Sequence, residues 1–310
     1  MATKTKALLI LLFSLSTLSS FINSSLADCV PREVISVYWG QSSEAEESTL
    51  EETCKSGNYK IVMIQYLTVY DDGRTPTLNL ADHCGSVDKP CTILESQIKT
   101  CQSLNIKVFL STGRDVAGNP ASGVEYKIAE FVYENILSGK PGPLGEVALD
   151  GVNIFEVETP NLHWDVIIRA LHAYSTPKRK IYLSAAPKCN DGFLEDAINT
   201  SLLDYIFIEF YDNPQCQYDG NTGNGTLLLN SWKEWISKPA LSNTLVFMGL
   251  PASDKVIGGG FIEADGLIWD TLPTLKQASN YGGIMLYDRA TDMNTQYSDA
   301  IKDYVTESCR

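Results

Sequence analysis

The chain has 310 residues, 44% of them hydrophobic, and its 38 acidic against 24 basic side chains give a formal net charge of −14. That balance argues against a nucleic-acid or anionic-membrane partner, which would call for a basic surface. The eight cysteines lack a CxxC spacing and the three histidines form no ligand pattern, so neither a zinc site nor any other cofactor is expected.

The first residues carry Lys4 and Lys6, an apolar run at 7–13, and a polar stretch ending in Ser25-Leu26-Ala27. This pattern predicts a cleaved signal peptide over residues 1–27 and a mature chain from Asp28 to Arg310, secreted to an extracellular or vacuolar setting. The apolar run falls short of the roughly 18 residues of a spanning helix, so the mature form is expected to have no membrane attachment. All eight cysteines, Cys29, Cys54, Cys84, Cys91, Cys101, Cys189, Cys216 and Cys309, follow the cleavage point, which favours disulfides in an oxidising compartment. The acids Glu44, Glu46, Glu47, Glu51 and Glu52 read as a solvated face, with loose calcium binding as the weaker alternative.

Short β-rich runs then recur at 34–38, 61–66, 107–111, 152–157, 180–185, 206–211, 244–250 and 283–286. Residues 126–133 and 164–171 space their apolar side chains for one helical face, and 232–235 and 267–275 are weaker helices. Eight strands alternating with helices predict a single α/β domain, an eight-stranded (β/α)8 TIM barrel spanning residues 28–310. The Gly/Asn-rich stretch 219–225 reads as a surface loop. Asn199 and Asn224 begin Asn-x-Ser/Thr acceptors, which puts both on the surface if glycosylated.

In such barrels function gathers at the C-terminal ends of the strands. There the chain offers Tyr38-Trp39-Gly40-Gln41, Gln65-Tyr66, Glu209-Phe210-Tyr211-Asp212-Asn213 and Leu286-Tyr287-Asp288-Arg289. Flat rings beside amide and carboxyl groups suit sugars, which are apolar on the ring face and hydroxylated at the edge.

These stretches, with Thr75-Pro76-Thr77-Leu78-Asn79-Leu80-Ala81-Asp82-His83-Cys84, Leu183-Ser184-Ala185-Ala186-Pro187-Lys188-Cys189, the continuation Pro214-Gln215-Cys216-Gln217-Tyr218, and Tyr281-Gly282-Gly283-Ile284, resemble the class III plant chitinases of glycoside hydrolase family 18. The resemblance spans nearly the whole mature chain. It implies pairing of Cys54 with Cys101, Cys84 with Cys91 and Cys189 with Cys216. Cys29 and Cys309 stand outside that pattern, and their places near the two ends predict a fourth bond between them.

The resemblance also implies a catalytic signature, Asp-Gly-x-Asp-x-Asp-x-Glu, on the fourth barrel strand, whose Glu protonates the leaving sugar oxygen in a substrate-assisted reaction. Set without gaps on Asp150-Gly151, it places Asn153, Phe155 and Val157 at the three acidic positions. A register slipped by one residue lays Phe155-Glu156-Val157-Glu158 over the signature and makes Glu158 the acid, at the expense of a bulge. The downstream Trp164-Asp165 favours the ungapped register. In either one the acetamide-holding carboxylates are replaced or displaced, which predicts a protein that is not an enzyme.

Tyr38, Tyr66 and Tyr211 stand at binding positions of the family, with Gln41 beside them. Arg114 replaces a common glycine, Glu209 a common glutamine, and Tyr287 a tryptophan floor. The expected function is a lectin for N-acetylglucosamine or a chito-oligosaccharide, in the old groove or at loop aromatics such as Trp232 and Trp235. The alternatives are an inhibitor that binds a microbial glycosidase, an acidic seed-storage protein holding calcium, and, last, a chitinase using Glu158.

Overall fold

The computed structural model describes residues 34–70, 72–112, 121–155, 162–190, 192, 194–255 and 258–306. All eight β-rich runs form strands: β1 (Val34–Trp39), β2 (Ile61–Thr68), β4 (Lys107–Thr112), β5 (Gly151–Phe155), β6 (Tyr182–Ala186), β7 (Tyr205–Glu209), β8 (Leu245–Pro251) and β9 (Tyr281–Tyr287). They are parallel, each hydrogen-bonded to the next, and β9 returns to β1 with Val34 opposite Gly283. The chain is therefore a closed (β/α)8 barrel. A two-residue strand, β3 (Thr77–Leu78), pairs antiparallel with the end of β2 and was not among the expected runs.

Alternation along each strand sorts side chains into two cores. Tyr38, Met63, Phe109, Phe155, Phe207 and Phe247 fill the barrel, while Val37, Val62, Val108, Ile154, Ile206 and Val246 meet the surrounding helices. Strands buried on both faces read as near-continuous apolar runs, and this made them legible. The helices Val124–Val132 and Trp164–Ala173 occupy the two periodic stretches, and each buries its apolar face.

The helix Thr226–Ile236 corrects one expectation. Trp232 and Trp235 are buried in it rather than displayed on a loop, and the Trp235 indole donates to the carbonyl of Cys189 at 2.9 Å. Neither ring is open to a sugar.

Disulfides join Cys54 to Cys101, Cys84 to Cys91 and Cys189 to Cys216, with Cα separations of 5.3, 4.9 and 6.1 Å. Cys29 and Cys309 lie outside the described residues. Under the outer helices, a buried polar network fixes the C-terminal segment: Tyr59 donates to Asp292, which also accepts from the Ser298 hydroxyl (2.5 Å) and amide (2.6 Å). Arg289 lies 3.9 Å from the same carboxylate.

Candidate functional site

β5 holds the candidate positions Asn153 and Phe155, and strand register decides their surroundings. Ser111 on β4 and Ser184 on β6 both lie opposite Asn153, so three polar side chains meet inside an apolar barrel. The Asn153 amide donates to the Tyr38 hydroxyl at 2.9 Å and approaches Ser111 Oγ at 3.3 Å, and its carbonyl accepts from Ser184 Oγ at 3.0 Å. Ser184 also reaches the Val152 carbonyl at 3.0 Å. All three residues are fully buried, and hydrogen bonding is what makes such burial tolerable.

Phe155, two residues on, faces the same way and is 2% exposed. Its ring meets Tyr38 edge-on at 4.9 Å between centroids and lies parallel to Tyr287 at 6.4 Å. Tyr211 stacks on Tyr287 at 5.5 Å. The barrel mouth is thus packed with four rings, and the one that β5 contributes, Phe155, has no proton to give and no acceptor to offer.

The structure gathers Tyr38 and Tyr287 around Phe155, and Tyr211 joins the group through Tyr287. Glu209 is buried and barrel-facing by alternation with Tyr205 and Phe207. Gln41 does different work: its amide nitrogen contacts the carbonyls of Gly40 (3.0 Å), Gln65 (2.8 Å) and Asn79 (3.0 Å), bracing the loops after β1 and β2. The Tyr66 hydroxyl accepts from Asn79 at 3.3 Å, and among the described residues its ring makes no contact with the aromatic group. Arg114, Glu156, Val157 and Glu158 lie outside the described residues. Asn199 and Asn224 are exposed, and the Asn224 side-chain Oδ1 accepts from the Thr226 amide at 2.8 Å.

Ser111 and Ser184 were not singled out by sequence. Their only signal is the register that aligns them with Asn153, and register is a property of neighbouring strands. The acidic stretch 44–52 spends its carboxylates locally. Glu46 and Glu52 cap helices through Ser43 and Thr49, and those hydrogen bonds hold both carboxyls below their ordinary values. Glu44 pairs with Lys89 at 2.8 Å and Glu51 with Lys55. Glu47 is buried against His83 at 2.7 Å and accepts from the Gly40 amide at 3.1 Å, fixing the loop after β1.

No protein-family model matches the chain. It is 40% identical over 312 residues to acidic endochitinase SE2 of Beta vulgaris, across 98% of this chain and all of that protein. Among solved structures it is similar to the tamarind chitinase-like lectin, with TM-score 0.79 and 38% identity over 87% of this chain and 99% of that one. It is also similar to a xylanase and α-amylase inhibitor protein of Scadoxus multiflorus, with TM-score 0.77 and 33% identity over 87% and 97%. Among the described residues no helix is long and apolar enough to cross a membrane.

Proposed function

Because this chain belongs to the plant chitinase-like proteins of glycoside hydrolase family 18, we propose that it binds N-acetylglucosamine or short chito-oligosaccharides without hydrolysing them. The observation that carries this reading is the Phe155 ring wedged between Tyr38 and Tyr287. Substrate-assisted hydrolysis needs a carboxylate there to orient the acetamide and a carboxylic acid beyond it to protonate the leaving oxygen. Inward-facing Asn153 and Phe155 favour the ungapped register, in which Val157 takes the place of the acid. The slipped register would turn Phe155 outward, against the helices. A chain read as beginning with a signal peptide and resembling secreted relatives fits an extracellular or vacuolar lectin.

The test pairs turnover with binding. A chitin oligomer incubated with the protein is expected to release no new reducing ends, and N-acetylglucosamine or its dimer to give saturable binding at millimolar concentration or below. Turnover abolished by Glu158→Gln would overturn the non-hydrolytic reading. No binding to monomer or oligomer would overturn the lectin reading.

A second reading, inhibition of a microbial glycosidase, draws on one surface feature. Trp269 and Tyr304 are 66% and 45% exposed and meet edge-to-face at 5.7 Å on the outer helices. Paired exposed aromatics suit a protein interface. Loss of xylanase or α-amylase inhibition in Trp269→Ala would support it, and the absence of inhibition by the wild type would remove it.

A further inference from the structure

A groove of about 740 Å³ opens beside the barrel mouth, between the loops that follow β7 and β8. Tyr218 and Asp219 come from the first loop, Asp254, Phe261 and Glu263 from the second, and Gln217 lies against the backbone of Gly259. Both glycines of the wall have a left-handed backbone that favours glycine, and Gly260 is also crowded by neighbouring backbone. At Gly259 (φ +84) a Cβ would stand 2.8 Å from Gln217 Nε2, and at Gly260 (φ +97) it would stand 2.8 Å from the Phe210 carbonyl.

The polar groups are oriented before any ligand arrives. Gln217 Oε1 accepts the Asn213 amide at 2.7 Å, which fixes the flip of the side chain and leaves its NH2 beside Gly259 in the groove wall. Among the described residues that NH2 has no hydrogen-bond acceptor. Asp219 is held by the Asn221 amide (3.0 Å) and the Thr222 hydroxyl (2.6 Å), and the Thr222 bond chiefly keeps its carboxyl below the ordinary value.

The three acids do not converge: among the described residues no group of three metal-ligating side chains is close enough to hold an ion. Carboxylates spread around one groove fit several hydroxyl donors better than a single cation. The lining carries no Lys or Arg, which disfavours an anionic ligand. Aromatic surface from Tyr218 and Phe261, spaced acceptors and one fixed amide donor together match a pyranose.

We propose that this groove binds a neutral saccharide of one or two pyranose units, with Gln217 donating to it and Tyr218 contacting its ring face. The proposal rests on the saccharide-binding reading above and locates it outside the four-ring cluster of the barrel mouth. The test is titration of N-acetylglucosamine, chitobiose and mannose by calorimetry, against the wild type and two variants. Gln217→Glu retains the acceptor for Asn213 and removes the donor, and Tyr218→Ala removes the ring.

Each variant is expected to weaken binding about tenfold or more, with the melting temperature of Gln217→Glu unchanged and no effect of a calcium chelator. Saccharide binding that survives both variants undiminished overturns the groove and leaves the lectin reading standing. Binding abolished by the chelator overturns the carboxylate-to-hydroxyl assignment. No binding of any of the three sugars by the wild type overturns both readings.

Discussion

Phe155 meets Tyr38 edge-on, ring centroids 4.9 Å apart at 64°, while Asn153, two residues earlier on the same strand, donates to the Tyr38 hydroxyl. One tyrosine is thereby engaged at its ring by an apolar group and at its hydroxyl by an amide, so the two non-acidic residues of β5 are mutually supportive. Phe155→Ala is expected to cost about 3–5 kcal/mol, the range for truncating a buried aromatic ring. Urea unfolding checks this, and a loss under about 1 kcal/mol would mean that the barrel mouth collapses to fill the space.

Asn153 is coupled to Ser184 through the bond between Ser184 Oγ and the amide carbonyl. Asn153→Leu keeps the approximate shape but removes the amide donor that Ser111 and Tyr38 share, and is expected to cost about 1–3 kcal/mol. Ser184→Ala loses the bonds to Asn153 and Val152. A double-mutant cycle is expected to give a coupling of at least about 0.5 kcal/mol. Strict additivity would show that the pair is adjacent but energetically independent.

The barrel itself was legible because each strand is a short apolar run buried on both faces. β3 was not, since two residues carry no period. The register of β5 was also ambiguous locally: Asn153-Ile154-Phe155-Glu156-Val157-Glu158 alternates equally well in two phases. In the fold Asn153 and Phe155 take the inward phase, with Asn153 opposite Ser111 and Ser184, each more than 30 residues away on an adjoining strand. Gln41 shows the same limit from another side. An amide next to aromatic residues reads as a ligand contact, and only the folded loops reveal the three carbonyls that it braces. Trp232 and Trp235, three apart on one helix, present an apolar stripe whose burial follows from helical spacing.

Closure of the barrel depends on a backbone conformation at Gly283. There φ is +131, and a Cβ would stand 1.8 Å from the carbonyl of Val34, its partner on β1. Gly283→Ala is expected to abolish soluble expression. Gly57 is the control: φ is +80 but nothing lies within 4 Å of a Cβ, so Gly57→Ala should cost only about 1–2 kcal/mol. Equal behaviour of the two variants in expression and melting would remove the steric argument.

The last prediction concerns alkaline unfolding. Burial raises the phenols of Tyr59, Tyr205 and Tyr297 above the ordinary tyrosine value, with the Asp292 charge adding at Tyr59, the neighbouring Tyr182 at Tyr205 and the Glu263 charge at Tyr297. A raised native value means that the native state keeps its proton where the unfolded state, titrating near about 10, has lost it. The stability that these groups lend is therefore fully present below about pH 10 and declines as pH rises from there through the native values. Ultraviolet titration of native protein is expected to ionise fewer than all 15 tyrosines before unfolding releases the rest in one step. Tyr205→Phe removes one such group, so above about pH 10 the fall of stability should be shallower by up to about 1.4 kcal/mol per pH unit. An unchanged slope in that variant would show that the Tyr205 phenol ionises alike in both states.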